Sequence, residues 1–262
     1  MSDNGPSLDG TRLAVDQYLA HLDNEYSALS ALADGDLEIA VPACPGWSLR
    51  DLVSHVVGVY RHKAATLESG NPSTDRLSGG WGDLDPSRPP VAELRDAYIR
   101  IRTALTAQPV EAEAYTFWPA EQTVGFWVRR MPQETAVHRW DADAAVRGSG
   151  GAEPIASELA LDGVDELLGW LTRELPVDGA IPGADRQEIV VTSGTHAWTV
   201  TAHPTSFTVV GGVDTDDPDA WVTGEASDLL LFLWGRREDD VACAGDPDAL
   251  AAFRARLLAT TA

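Results

Sequence analysis

Glu134, His138 and Asp141 are the residues whose types and spacing most clearly suggest chemistry. They lie in the stretch QETAVHRWDADAAV, four and then three positions apart. Because an α-helix has about 3.6 residues per turn, this spacing places the three side chains on one strip of a helix. The neighbouring strip is apolar and contains Val137 and Trp140. The polar strip is therefore predicted to border the core instead of facing water.

A further histidine, His55, lies at the margin of the apolar side of another predicted helix, beside Leu52 and Val59. Inward polar side chains from facing helices are the usual way in which a helical bundle forms a metal site. Imidazole and carboxylate groups suit zinc, and three protein ligands leave one coordination position open for chemistry. A Glu-x-x-x-His pair is also a common helical ion pair, so the residue pattern by itself leaves both interpretations open.

A helical bundle is the fold that would position these side chains. Apolar residues recur at helical intervals through four segments of the first half of the chain. Four such helices in succession favour a bundle with its functional groups directed inward. The predicted helices span Leu8 to Ala33, Ser48 to Glu68, Val91 to Ala107, and a fourth segment that carries QETAVHRWDADAAV and ends at Arg147.

Pro132 complicates the prediction of the fourth helix. It lies two residues before Glu134, and a proline within a helix removes one backbone hydrogen bond and clashes with the preceding turn. We therefore expect the helix either to start near Met131, with the proline in its first turn, or to be kinked at the proline. In both cases the position of the Glu134 side chain depends on the course of the backbone here.

The second half of the chain is predicted to be a separate α+β domain. GSGGAEP, which follows Arg147, has the composition of a linker, so the predicted domains are residues 1–150 and 151–262. The second domain contains four short antiparallel strands and three helices. The strands are EIVVTS, HAWTVTAH, SFTVVGG and DAWVTGE, and the helices lie near Ile155 to Arg173, Ala226 to Trp234 and Pro247 to Leu258.

The composition excludes several classes of function. The formal net charge of -22 would repel the phosphates of nucleic acids and anionic lipid headgroups, so neither is an expected partner. The opening segment MSDNGPSLDG lacks the features of a secretory signal. The longest apolar run, Leu229 to Trp234, is far shorter than the roughly 20 residues of a membrane-spanning helix. We expect a cytoplasmic protein, either a monomer or a small homo-oligomer.

Cys44 and Cys243 are the only cysteines of the chain. Neither has a second cysteine at the spacing of a metal site or a redox motif, so no disulfide is expected. Cys44 lies in the segment VPACPGW and has two interpretations. It is either a nucleophile or a structural thiol, and the structural thiol is the commoner case.

Three segments resemble a known family, and they occur in the same order. CPGWSLRDLVSHVVGVYRHKA and ETAVHRWDADAA resemble the two signatures of the mycothiol-dependent maleylpyruvate isomerase family, within the DinB-like metalloprotein superfamily. VTGEASDLLLFLWGRR, followed by AGDPDALAAF, is similar to the C-terminal domain of that family. The resemblance implies an α+β chain with an N-terminal DinB-like four-helix bundle. It also implies a C-terminal sterol-carrier-like domain with a mostly antiparallel sheet.

The same resemblance implies which residues bind metal and substrate. A divalent ion, usually zinc, would be held by His55, Glu134 and His138, with Asp141 orienting a ligating imidazole. The resemblance also implies that mycothiol is the thiol cosubstrate. The metal would be needed because zinc deprotonates a thiol that is otherwise mostly protonated at neutral pH. A substrate carboxylate would need a cationic partner, and Arg236 in LWGRR is the candidate catalytic residue. The alternative for Arg236 is a solvated arginine that follows a helix.

We therefore expect a metal-dependent, mycothiol-using transferase or isomerase that acts on a small electrophile. Two other functions stay open: a metalloenzyme of specialised metabolism that uses no thiol, and a non-catalytic carrier of an apolar ligand. The intact set of ligands argues against the carrier. The loop from Ser69 to Pro90 is long enough to act as a lid over one end of the bundle, with Trp81 as its anchor or as a packing residue.

Overall fold

The computed structural model describes residues 10–70, 82–174, 180–181 and 184–261 of the chain. Over those residues the chain forms two compact units. The first contains the described residues between Ala14 and Glu153, and the second contains the described residues from Pro154 onward together with residues 10–13. The division into independent domains at residue 150 stays a prediction.

The first unit consists of four helices with a shared apolar core. The first helix packs against the fourth, and the second packs against both the third and the fourth. Trp127, Trp140 and Tyr60, which the sequence suggests as core aromatics, are almost completely buried. The helices are α1 (Val15–Leu32), α2 (Leu49–Ser69), α3 (Pro90–Thr106) and α4 (Val124–Arg147).

Helix α1 starts later than predicted. The backbone N–H of Ala14 donates a hydrogen bond to the side chain of Gln17 at 2.9 Å, and Ala14 itself is extended. This interaction caps the helix, so the first helical residue is Val15. The prediction that this helix includes residues 10–14 was wrong, and Leu8, where it was predicted to begin, lies outside the described residues.

Helix α4 begins well before Pro132 and continues through it. Its N-cap is Thr123, whose side chain accepts a hydrogen bond from the backbone N–H of Phe126 at 3.4 Å. The alternative in which the helix starts near Met131 was therefore wrong. A proline inside a helix costs one backbone hydrogen bond, which the hydrogen bonds and packing along the rest of this long helix outweigh.

Helix α4 is buried on nearly all sides, which the sequence pattern did not predict. Arg139 and Asp143 lie outside both the polar strip and the apolar strip, and they are nevertheless only 4% and 2% exposed. Arg139 pairs with Glu25 of α1 at 2.6 Å, and Asp143 pairs with Arg147 at 2.9 Å. These ion pairs explain how charged residues are accommodated in the interior of the unit.

The second unit combines three helices with one five-stranded sheet in the order β3-β2-β1-β4-β5. Three neighbouring pairs are antiparallel, and β1 and β4 are parallel. The sheet is thus mostly antiparallel, as predicted, and the one parallel pair arises because β4 joins the free edge of β1 instead of pairing with β3. The elements are α5 (Ser157–Trp170), β1 (Gln187–Ser193), β2 (His196–Ala202), β3 (Phe207–Gly211), β4 (Ala220–Thr223), α6 (Ala226–Leu233), β5 (Ala242–Gly245) and α7 (Pro247–Thr261).

Strand β5 was not predicted. Its sequence, ACAG, is only four residues long and contains no β-branched or aromatic residue. Pairing with β4 places it at the edge of the sheet. Among the described helices of both units, none is long and apolar enough to cross a membrane.

Candidate metal centre

Glu134 lies between two histidines that come from different helices. Its Oε1 atom is 3.3 Å from Nε2 of His55 on α2 and 3.4 Å from Nε2 of His138 on α4. The two imidazole rings meet edge to face, with centroids 4.8 Å apart. Donor atoms of the three side chains all lie within 4.8 Å of one another. The structure thus brings together the three residues that were predicted to bind a metal ion.

These separations match the spacing of ligands around a metal ion. Two ligand atoms that each lie about 2.1 Å from a tetrahedral zinc ion are about 3.4 Å apart. A nitrogen and an oxygen joined by a hydrogen bond are usually closer, at about 2.9 Å. Two imidazole nitrogens and one carboxylate oxygen are also the donor set of some zinc enzymes. By separation and by chemistry, the three residues fit a divalent ion.

The start of α2 determines where His55 lies. The side chain of Ser48 accepts a hydrogen bond from the backbone N–H of Asp51 at 3.3 Å. In return, Oδ2 of Asp51 accepts a hydrogen bond from the backbone N–H of Ser48 at 2.8 Å. This capping box begins the helix at Leu49, so His55 follows within the first two turns. Its side chain is 26% exposed, so a bound ion would remain accessible to a small molecule.

Asp141 contacts the other side of the His138 ring, as the sequence suggested. Its Oδ2 atom is 3.1 Å from Nδ1 of His138, and its side chain is completely buried. A carboxylate at Nδ1 favours a proton on that nitrogen, which leaves the lone pair of a neutral ring on Nε2, beside Glu134. Asp141 is therefore placed to orient His138 as a ligand.

Cys44 is a second partner of Asp141. Its Sγ atom donates a hydrogen bond to Oδ2 of Asp141 at 3.6 Å, across 97 positions of sequence. Donor atoms of Cys44, His138 and Asp141 also lie within 4.8 Å of one another. Because the thiol faces a buried carboxylate that also faces His138, its position fits the structural interpretation of Cys44.

Arg130 holds the oxygen of Glu134 that does not face the histidines. Its Nη2 atom donates a hydrogen bond to Oε2 of Glu134 at 2.6 Å, and its side chain is 5% exposed. Burial raises the pKa of Glu134, but hydrogen bonds with His138 and His55 and the charge of Arg130 outweigh burial. Together they hold the pKa well below its usual value. The carboxylate is therefore ionised at neutral pH, as a metal ligand must be.

In the metal-free chain His138 carries a proton at neutral pH. Burial lowers the pKa of His138, but hydrogen bonds with Asp141 and Glu134 outweigh burial and raise it to about 9. Only an imidazole with a free lone pair binds a metal, so an incoming ion would displace the proton from Nε2.

An open cleft of about 810 Å³ lies beside His55, within the first unit. Trp47 forms part of its wall, with its ring centroid 5.1 Å from that of His55. Gly82, which also lines the cleft, lies close to α2, and a Cβ atom there would be 2.8 Å from the backbone oxygen of Ser54. Residues 71–81 of the predicted lid, including Trp81, lie outside the described residues. Other residues of the cleft wall include Arg50, Asp51, Asp83 and Arg88.

Arg236, the predicted substrate-binding residue, lies in the second unit, just after α6. Its Nη1 atom donates a hydrogen bond to the backbone oxygen of Trp234 at 2.8 Å. The guanidinium group also lies over the ring of Trp234, 5.9 Å from the centroid. Its catalytic role stays a prediction.

The first unit matches a known family of domains. Residues 19–143 match the family model described as the mycothiol maleylpyruvate isomerase N-terminal domain, and this range contains all three predicted ligands. The first unit is therefore a domain of this family. No curated protein sequence matches the chain.

Two solved structures share the fold of this chain. One is the mycothiol-dependent maleylpyruvate isomerase, which is 15% identical with a TM-score of 0.62 and covers 89% of this chain and 95% of its own. The other is that isomerase with one histidine replaced by alanine, at 14% identity with the same TM-score and coverage. At these identities the likeness concerns the fold. It confirms the predicted α+β class, with an N-terminal helical bundle and a C-terminal domain that has a mostly antiparallel sheet.

The sequence analysis did not predict two contacts made by residues of this centre. Arg130 precedes Glu134 by four residues, a spacing that could have suggested the pair. Nothing in the sequence indicates that Cys44 reaches Asp141, because that contact depends on how the loop before α2 packs against α4.

Proposed function

We propose that this chain is a metal-dependent enzyme that uses mycothiol as a cosubstrate and acts as a transferase or isomerase on a small electrophile. The observation that carries the proposal is the position of Glu134 Oε1, 3.3 Å and 3.4 Å from the Nε2 atoms of two histidines. The family of the first unit supports enzymatic activity. The name of the solved relative, a mycothiol-dependent isomerase, supports the choice of thiol.

In this proposal His55, Glu134 and His138 hold one divalent ion, and zinc suits their donor atoms. A bound zinc ion would supply a Lewis acid that stabilises the thiolate form of a thiol placed on it. Asp141 keeps a proton on Nδ1 of His138 and so directs Nε2 toward the ion. The chain's own cysteines have no part in the reaction.

The cleft beside His55 gives the thiol and the electrophile a route to this centre. His55, whose Nε2 atom lies 3.3 Å from Oε1 of Glu134, belongs to the wall of this cleft, and the ring of Trp47 lies beside it. Because the cleft is wide relative to the three donor atoms, both reactants can occupy it together.

The proposal extends to Arg236 as the residue that binds an anionic group of the substrate. A guanidinium group offers paired donors that match a carboxylate. The rest of this very acidic chain, with its net charge of -22, would repel an anionic substrate, so a dedicated cation is needed. A cytoplasmic location and a monomeric or small homo-oligomeric state complete the proposal.

The test is an assay of the full chain with maleylpyruvate and with other small electrophiles, each with and without mycothiol and zinc. Turnover that requires both the metal and the thiol is the expected result. Turnover with metal alone would favour a thiol-independent metalloenzyme. A protein that contains no divalent metal after purification without chelator would contradict the proposal.

A further inference from the structure

We infer that Arg130 is a positioning residue that makes Glu134 a ligand through one oxygen only. It would thereby keep a coordination position of the centre open. The inference rests on the proposed function, since it takes Glu134 to be a metal ligand. It concerns a residue that the family resemblance did not single out.

The two oxygens of Glu134 face different partners. Oε1 faces the Nε2 atoms of His55 and His138, at 3.3 Å and 3.4 Å. Oε2 faces away from both rings and accepts a hydrogen bond of 2.6 Å from Nη2 of Arg130. The carboxylate is thus already divided between a side for the ion and a side for the guanidinium group.

Arg130 is held in place by its surroundings. Its side chain is 5% exposed, and it lies on α4 one turn before Glu134. A buried ion pair contributes little net stability compared with apolar residues of the same volume. Stability therefore gives no sufficient reason for a buried arginine at this position, whereas orientation of a ligand does.

The division of the carboxylate has a consequence for coordination. A carboxylate can bind a metal through one oxygen or through both. With Oε2 bonded to Arg130, the ion would receive one oxygen and two nitrogens, which leaves a fourth position for a thiol. Without Arg130, Glu134 could turn and place both oxygens on the ion, which would occupy that position.

Lys63 is another cation near Glu134, whose charge partly opposes the effect of burial on the pKa of this lysine. Its ammonium group lies 4.8 Å from the centroid of the Trp127 ring. It therefore contributes positive charge near Glu134 while its close contact is with an aromatic face. Replacement of Lys63 separates the effect of a nearby charge from the effect of the hydrogen bond to Oε2.

The experiment compares the parent chain with Arg130→Gln and Arg130→Lys. Lys63→Met is the control for charge. Arg139→Gln is the control for loss of a buried ion pair on the same helix, because Arg139 pairs with Glu25 and not with Glu134. Zinc affinity is measured by competition with a chelator. Access to the fourth position is read from the cobalt(II) form, whose spectrum gains a sulfur-to-metal charge-transfer band when added mycothiol binds the ion.

We expect Arg130→Gln to bind zinc about 10- to 100-fold more weakly, and the thiol band of its cobalt form to be weaker than in the parent. Arg130→Lys, which keeps one donor, should fall between that variant and the parent, and it serves as the test if Arg130→Gln fails to fold. The inference is overturned if a folded Arg130 variant keeps the zinc affinity and the cobalt spectrum of the parent. It is also overturned if either control variant changes the affinity and the spectrum as much as Arg130→Gln does. If the parent itself binds neither metal, it is the proposed function that fails.

Discussion

Nε2 of His55 lies 3.3 Å from Oε1 of Glu134, although the two residues are 79 positions apart and belong to different helices. The donor set is therefore complete only when α2 packs against α4. An ion that binds all three ligands would stabilise this packing, and the packing would in turn create the site. Metal binding and the stability of the first unit should accordingly be coupled.

Zinc should raise the melting temperature of the chain. At a free concentration about 100 times its dissociation constant, a ligand that binds only the folded state adds about 2.7 kcal/mol to the free energy of unfolding. Thermal unfolding with zinc and with a chelator measures the difference. His55→Ala should show no such difference, since it removes the only ligand from α2. An equal response in this variant would mean that zinc binds elsewhere.

His138→Ala should abolish binding of the ion. We expect about one divalent ion per parent chain and almost none in the variant, because two remaining ligands hold zinc poorly. Elemental analysis of protein purified without chelator gives the stoichiometry. His62→Ala is the matched control, since His62 lies on α2 but outside the donor set. Equal loss of metal in both variants would contradict the assignment.

Asp141→Ala should weaken zinc binding about 10- to 100-fold, because His138 would lose the carboxylate that orients its ring. Asp141→Asn keeps an acceptor for the Nδ1 proton and should lose less. Asp143→Asn serves as the control, since Asp143 is buried on the same helix but pairs with Arg147. Chelator competition measures all three affinities. Unchanged affinity in a folded Asp141→Ala variant would show that the carboxylate does not orient the ligand.

Lys63→Met should raise the melting temperature at pH 7. Burial lowers the pKa of Lys63, the only lysine of the chain, from its ordinary value of 10.5 to about 8, despite the opposing charge of Glu134. The folded state thus disfavours the charged amine. This cost is complete below pH 8 and disappears as the pH rises through 10.5.

Thermal unfolding of the parent and Lys63→Met at pH 7 and at pH 10 tests this expectation. The advantage of the variant should be largest at pH 7 and should shrink at pH 10. The same advantage at both values would show that the cause is packing against Trp127 and not the charge. A lower melting temperature at pH 7 would mean that the contact with the Trp127 ring outweighs the cost of burial.

The sequence predicted the helices well where local signals mark their ends. Ser48, the predicted start of α2, is the N-cap residue, one position before the first helical residue Leu49. Because of Pro132, a start near Met131 was one of the two predictions for α4, and it was wrong. The penalty of a proline is local, whereas the hydrogen bonds and packing that outweigh it extend along the whole helix. The pairing of β4 beside β1 could not be predicted, because periodicity describes a strand but not its neighbour.

For the candidate site too, the sequence predicted the contacts within one helix but not those that depend on packing. Glu134, His138 and Asp141 share a strip of one helix, so their proximity follows from helical spacing. The position of His55 opposite Glu134 depends on the packing of α2 against α4, and the helical projection indicated only that His55 borders an apolar side. The contact of Cys44 with Asp141 involves an irregular loop, for which spacing gives no information.

Helix α4 carries two of the three candidate ligands and also the arginine and the aspartate that hold them. The two candidate ligands and the two residues that hold them thus lie within twelve consecutive residues, from Arg130 to Asp141. A lineage could remodel the surrounding loops, and with them the choice of substrate, while this short segment is inherited intact. Only one outside residue, His55, would have to be retained alongside it.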